Sequence, residues 1–130
     1  MTFSIEMLPD EPIVICTMSE QFNPATDYGA FWQQLGAILK DKEGPIYRIT
    51  HLKTDQIQFS DMVMALAAEA KSSMPGSLTD PRIRSVLVNR SLLAQTAVES
   101  IKQEQYGQLD TPLFGTLDEA LAHVRSELKS

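Results

Sequence analysis

Six consecutive residues, Ile13-Val14-Ile15-Cys16-Thr17-Met18, narrow the folds open to this chain more than any other segment. The run is almost unbroken in its apolarity and rich in β-branched side chains. Because it does not alternate with polar residues, neither of its faces suits water, and it is predicted to be a central strand covered on both sides. The segment before it is different. From Thr2 to Leu8 the residues alternate, with Phe3, Ile5 and Met7 on one side and Ser4 and Glu6 on the other, as in a half-buried edge strand. Pro9-Asp10-Glu11-Pro12 is too short a break for a helical crossover, so the two strands are predicted to pair antiparallel.

Strands and helices alternate from there on. Asn23 as N-cap and Pro24 at the first helical position predict a helix running to about Lys40, with Tyr28, Phe31, Trp32, Leu35, Ile38 and Leu39 on its core face. Gly44-Pro45 leads into a strand over Ile46-Tyr47-Arg48-Ile49-Thr50. A second helix is predicted to start near Ser60. Phe59, Met62, Val63, Leu66 and Ala70 share its core sector, which leaves Met64, Ala65 and Ala68 as an apolar back.

Met74-Pro75-Gly76 closes that unit, and Ile83 to Val88 forms a fourth strand. Ser91 caps a third helix carrying Leu93, Ala97 and Ile101, which ends at Tyr106-Gly107. Leu113-Phe114 is a short last strand. Thr116-Leu117-Asp118-Glu119 is a capping box that opens a final helix with Leu117, Ala120, Leu121, Val124 and Leu128.

The order β-β-α-β-α-β-α-β-α predicts an α/β fold, a mixed and mostly parallel five-stranded sheet with four helices, as one domain over residues 1–130. Its 130 residues, 43% of them hydrophobic, are enough to close one core and to exclude disorder as the dominant state.

Several function classes fall away on residue types and spacing. The longest apolar run, Met62 to Ala68, is far short of the ~20 residues needed to span a bilayer. A net charge of -6 argues against a nucleic-acid partner. Cys16 stands alone, so it forms no intrachain disulfide, and mid-strand it is expected to be buried and inert. With no basic region and apolar block at the N-terminus, the simple reading is a cytoplasmic protein. Neither GxxxxGK[ST] nor GxGxxG occurs, and His51 and His123 lack any metal-binding spacing, so no cofactor and no metal are predicted. No set of acid, base and nucleophile emerges, and the chain reads as a non-enzyme.

In parallel sheets, ligands approach the carboxyl ends of the strands. That edge is predicted to carry Ser19, Glu20 and Gln21, then Thr50, His51 and Lys53, then Asn89, Arg90 and Ser91, with Ser60 and Thr116 at helix starts. The candidate ligand-binding set is Ser60, Asn89, Arg90, Ser91 and His51. Arg90 leads it, because its fork of N–H donors suits an anion. Against that stands the simpler role of Ser60, Ser91 and Thr116 as N-caps and of Tyr28 and Trp32 as core.

The two adjoining N-terminal strands followed by α-β-α-β-α-β-α, and the ending Phe114-Gly115-Thr116-Leu117-Asp118-Glu119-Ala120-Leu121, resemble the STAS fold of anti-sigma-factor antagonists and transporter tails. The resemblance implies a regulatory role. Regulatory members carry Asp-Ser-[Ser/Thr]-Gly after the third strand, with a phosphorylated Ser. Here Gln58-Phe59-Ser60-Asp61-Met62 puts Ser60 in a similar place, without the Gly and with the Asp after the Ser.

Two functions follow as expectations. One is a non-enzymatic regulatory or protein-interaction module, self-associating as a homodimer through Met64, Ala65 and Ala68. The other is a module that binds an anion, nucleotide or lipophile at the strand carboxyl edge.

Overall fold

The Ile13–Met18 run, buried at every position but Thr17, becomes a strand flanked by sheet on both sides. The computed structural model describes residues 2–23, 25–53, 64–65, 67–69, 71, 75–77, 79–91, 94–96, 99 and 111–129. Strands β1 (Phe3–Met7), β2 (Ile13–Met18), β3 (Ile46–Leu52), β4 (Ile83–Val88) and β5 (Leu113–Phe114) form one sheet in the order β1-β2-β3-β4-β5. The edge strand β1 runs antiparallel to β2, and the other three pairings are parallel. Helix α1 (Tyr28–Leu39) follows β2. Helical residues 64–65, 67–69 and 71 mark α2, and 94–96 and 99 mark α3. The chain closes with α4 (Leu117–Lys129).

Residue parity along β2 divides the core in two, because successive side chains point to opposite faces. Val14, Cys16 and Met18 join Phe31, Trp32, Leu35 and Leu39 of α1, with Ala65 and Ala68 packed alongside. Ile13 and Ile15 join Ile49, Val86 and Val88, covered by Ala120 and Val124 of α4. Both faces of β2 are therefore dry, as its composition demands. Cys16 is fully buried, and burial pushes its thiol up to about 11, out of the range of a reactive thiolate.

Helix α1 starts four residues later than Asn23 and Pro24 suggested, at Tyr28, the first residue of its apolar pattern. The Asn23 side chain accepts a bond from the Ala25 amide (2.9 Å). Its carbonyl takes the Thr26 and Asp27 amides, and its own amide donates to the Asp27 carboxylate (2.8 Å). These bonds close a separate turn, so Asn23 shapes a loop and Asp27 becomes the N-cap position. Pro24 lies outside the described residues.

The far end of α1 is fastened from another element. Arg82 Nη1 donates to the carbonyls of Leu39 (2.9 Å) and Lys42 (2.8 Å), satisfying acceptors that a helix terminus leaves open. Asp80 holds that guanidinium by Nη2 (2.8 Å) and Nε (3.2 Å).

Candidate functional site

Parallel pairing brings the carboxyl ends of β3, β4 and β5 to one edge, with His51 in register beside Val88 and Val88 beside Phe114. An open cleft of about 270 Å³ lies there, lined by His51, Leu52, Lys53, Val88, Asn89, Arg90 and Gly115. Its frame is tied by one side chain. Asn89, 5% exposed, donates through Nδ2 to the Leu52 carbonyl at the end of β3 (2.9 Å) and accepts the Ser91 amide on Oδ1 (2.9 Å). The Asn89 amide donates to the Phe114 carbonyl (2.9 Å), so one residue joins the ends of three strands.

The cleft presents donors. Arg90 spends its Nε on the Gly115 carbonyl (3.1 Å), which fixes the stem and leaves the two terminal nitrogens of the fork for a ligand. Lys53 is exposed and adds an ammonium. Burial, then the neighbouring Lys53 charge, lowers the pKa of His51 below its usual value, so the imidazole is mainly neutral at neutral pH. No acidic residue is among the described lining residues. In a chain of net charge -6, this is a local cationic pocket floored by Leu52 and Val88.

Three of the residues named from sequence, His51, Asn89 and Arg90, meet in this cleft. Asn89 serves as its brace, with both side-chain ends engaged in hydrogen bonds within the fold. Ser91 stands behind the lining, where its hydroxyl accepts the Ala94 amide (3.0 Å) as the N-cap of α3. Thr116 caps α4 in the same way, accepting the Glu119 amide (3.2 Å) and donating to the Glu119 carboxylate (3.0 Å). Ser60 lies outside the described residues, as do Phe59, Met62, Val63, Leu66 and Ala70 of the predicted core sector and Leu93, Ala97 and Ile101 of the third helix.

Two placements differ from the sequence reading. Thr50 is buried, 8% exposed, because β3 continues to Leu52 and moves the strand end two residues on. Ala65 and Ala68, expected on an apolar helix back, pack against the α1-side core. Glu69 is buried on the same side, so 65, 68 and 69 form the inward face of α2 at helical spacing. Met64 is 39% exposed, as that reading expected.

Sequence reasoning missed a second polar centre. Arg48, inside β3, is 1% exposed and pairs through both terminal nitrogens with Glu69 of α2 (2.9 and 2.7 Å). Its Nη1 also donates to the Gly76 carbonyl (3.0 Å), and the Tyr28 hydroxyl donates to Glu69 (3.1 Å). The guanidinium lies over Phe31 at 5.2 Å and Trp32 at 5.9 Å from the ring centroids. Burial, then the Glu69 charge, pushes the Tyr28 hydroxyl well above its usual pKa. For Arg48, burial opposes the charged form but the Glu69 carboxylate outweighs it, and its pKa is raised. The signal was present. An Arg on the same strand face as Ile46, in a sheet buried on both sides, requires an acidic partner.

No family model, curated protein or solved structure matches the chain. Among the described residues, no helix is long and apolar enough to cross a membrane, and no three His, Cys, Asp or Glu side chains cluster as a metal site.

Proposed function

We propose that this chain is a non-enzymatic binding module that holds a small anionic ligand in the cleft at the carboxyl ends of β3, β4 and β5. The observation that carries the reading is the convergence of Arg90, Lys53 and His51 on one 270 Å³ cleft whose frame Asn89 ties together. The resemblance to STAS domains supports a regulatory use, in which occupancy of the cleft is the signal.

Thermal denaturation against saturating inorganic phosphate, sulfate, carboxylates, nucleotides and fatty acids tests it. A ligand that binds the native state must raise the melting temperature in a dose-dependent way. Stabilisation by an anion that is lost in Arg90→Ala is the expected result. Absence of stabilisation by every anion, at constant ionic strength, overturns the reading.

Self-association through α2 is a second reading, and it now rests on Met64, which is 39% exposed. Ala65 and Ala68 lend it less, since they face the core. Sedimentation of the wild type and Met64→Glu decides it: a dimer lost in the variant supports a homodimer, and a monomer throughout rejects it.

A further inference from the structure

The donors of the cleft specify a ligand class more closely than negative charge alone. Asn89 has its side-chain amide and carbonyl engaged in holding strand ends together. The lining residues that bring donors for an occupant are therefore Arg90 with its terminal nitrogens, Lys53 with its ammonium and His51 with its ring. All are donors in their charged forms, and all three residues line the one cleft. A planar carboxylate offers two acceptor oxygens and one charge. A tetrahedral oxyanion offers an oxygen to each of three cationic groups and carries a second charge.

We propose that the cleft takes a tetrahedral dianion, the phosphate group of a small phosphorylated ligand, and that His51 takes up a proton as it binds. The proposal rests on the reading of this edge as an anion site and deepens it.

The surroundings of His51 set the sign of the effect. From β2 its register neighbour is Thr17, and from β4 it is Val88, neither of them titratable. From its own strand end it feels the Lys53 charge, and Arg90 lines the same cleft, both cationic. From the β5–α4 corner comes Gly115, with the Glu119 carboxylate behind it bonded to the Thr116 hydroxyl. Without a ligand, burial and then the Lys53 charge disfavour the imidazolium, and the ring is mainly neutral at neutral pH. A dianion placed among the three groups reverses that balance, and the imidazolium then becomes an additional donor. Affinity must therefore rise as pH falls through the pKa of His51 in the complex, and level off below its pKa in the empty protein.

Sulfate is the decisive probe, because it stays a dianion throughout this pH range and any proton taken up belongs to the protein. Calorimetric titration of the full chain with sulfate, from about pH 7.5 to about pH 5.5 at constant ionic strength, is expected to show binding that tightens about tenfold. Repeating it at one pH in buffers of different ionisation enthalpy should show net proton uptake. His51→Gln should bind weakly with a flat pH profile and no uptake. The buffer comparison on the wild type stands even if that variant fails to fold. Inorganic phosphate and a phosphate monoester should compete with sulfate.

Sulfate binding without pH dependence or proton uptake overturns the role of His51. Binding of carboxylates but of neither sulfate nor phosphate overturns the ligand class and leaves the anion site standing. No saturable binding of any anion removes both.

Discussion

Arg48 Nη2 lies 2.7 Å from Glu69 Oε2, and the side chains of the pair are 1% and 7% exposed, so a two-point ion pair joins β3 to α2 inside the core. Such a pair loses most of its hydration on folding, and its attraction does little more than offset that loss. What it supplies is geometry. The carboxylate takes both terminal nitrogens of Arg48 and the Tyr28 hydroxyl, which fixes α2 against α1 and the sheet. Among the described residues the Arg48 Nε has no hydrogen-bond partner, a further cost of placing this charge in the core.

Removing one member leaves the other charged and buried. Glu69→Ala or Arg48→Met is expected to cost about 3–5 kcal/mol in urea unfolding. The double variant Arg48→Met with Glu69→Leu should recover most of that loss, since an apolar pair of similar volume needs no hydration. A double variant as unstable as either single one would show that the pair is a net source of stability.

Gly76 sits beside this pair with φ +90, a backbone region that side chains strain. A Cβ there would stand 2.5 Å from Leu35 Cδ2 and 2.7 Å from Leu35 Cγ, both in the packed core. Gly76→Ala is expected to destabilise by about 2–4 kcal/mol, from strain and overpacking together. Gly36→Ala is the control. It lies within α1 with nothing among the described residues within 4 Å of the added carbon, and should gain about 0.5–1 kcal/mol. Thermal melts of the two variants, moving in opposite directions, check both.

Asp80 organises the turn that carries Arg82. Its bonds with the Arg82 side chain, then those from the Gly76 and Arg82 amides, lower its pKa from the usual 3.8 to about 2 despite partial burial. A folded-state pKa below the unfolded one adds stability that is complete above about pH 4 and fades as pH falls toward about 2. Allowing for solvent screening at a partly open site, the contribution is on the order of 1–2 kcal/mol. Asp80→Asn should therefore be less stable than wild type at neutral pH and converge on it in acid. Parallel unfolding curves at every pH would contradict this.

The sheet was legible because apolar strand runs and helix caps are local signals. β2 and β4 fall on the predicted residues, and Ser91 and Thr116 cap as their spacing suggested. The cleft edge was legible to the extent that strand direction sets it, which is why His51, Asn89 and Arg90 converge. What escaped depends on contacts between distant segments. Glu69 looks like a solvated helix residue until Arg48 is placed opposite, and their 21-residue separation carries no local mark. Ala65 and Ala68 turn inward on the same helix face as Glu69, so the pairing with Arg48 and the packing of these alanines belong to one contact between distant segments. Asn23 misled because its side chain and carbonyl serve a turn as readily as a helix start.

Asn89 links fold and site, and its variants separate the two. Asn89→Ala removes the donor to the Leu52 carbonyl and the acceptor for the Ser91 amide, both part-buried, at a cost of about 2–3 kcal/mol. Ser91→Ala removes only a cap and should cost about 1 kcal/mol. Their effects on anion affinity should differ more. Without the Asn89 brace, the ends of β3 and β4 that carry Lys53 and Arg90 lose their fixed spacing, and binding should weaken about tenfold or more. In Ser91→Ala the brace is intact, and affinity should stay within about twofold, because the lost hydroxyl faced the Ala94 amide rather than the cleft. Urea unfolding and calorimetric titration with sulfate on the same preparations read both quantities. A folded Asn89→Ala with undiminished affinity would show that Arg90 and its bond to Gly115 hold the site without help from the strand ends.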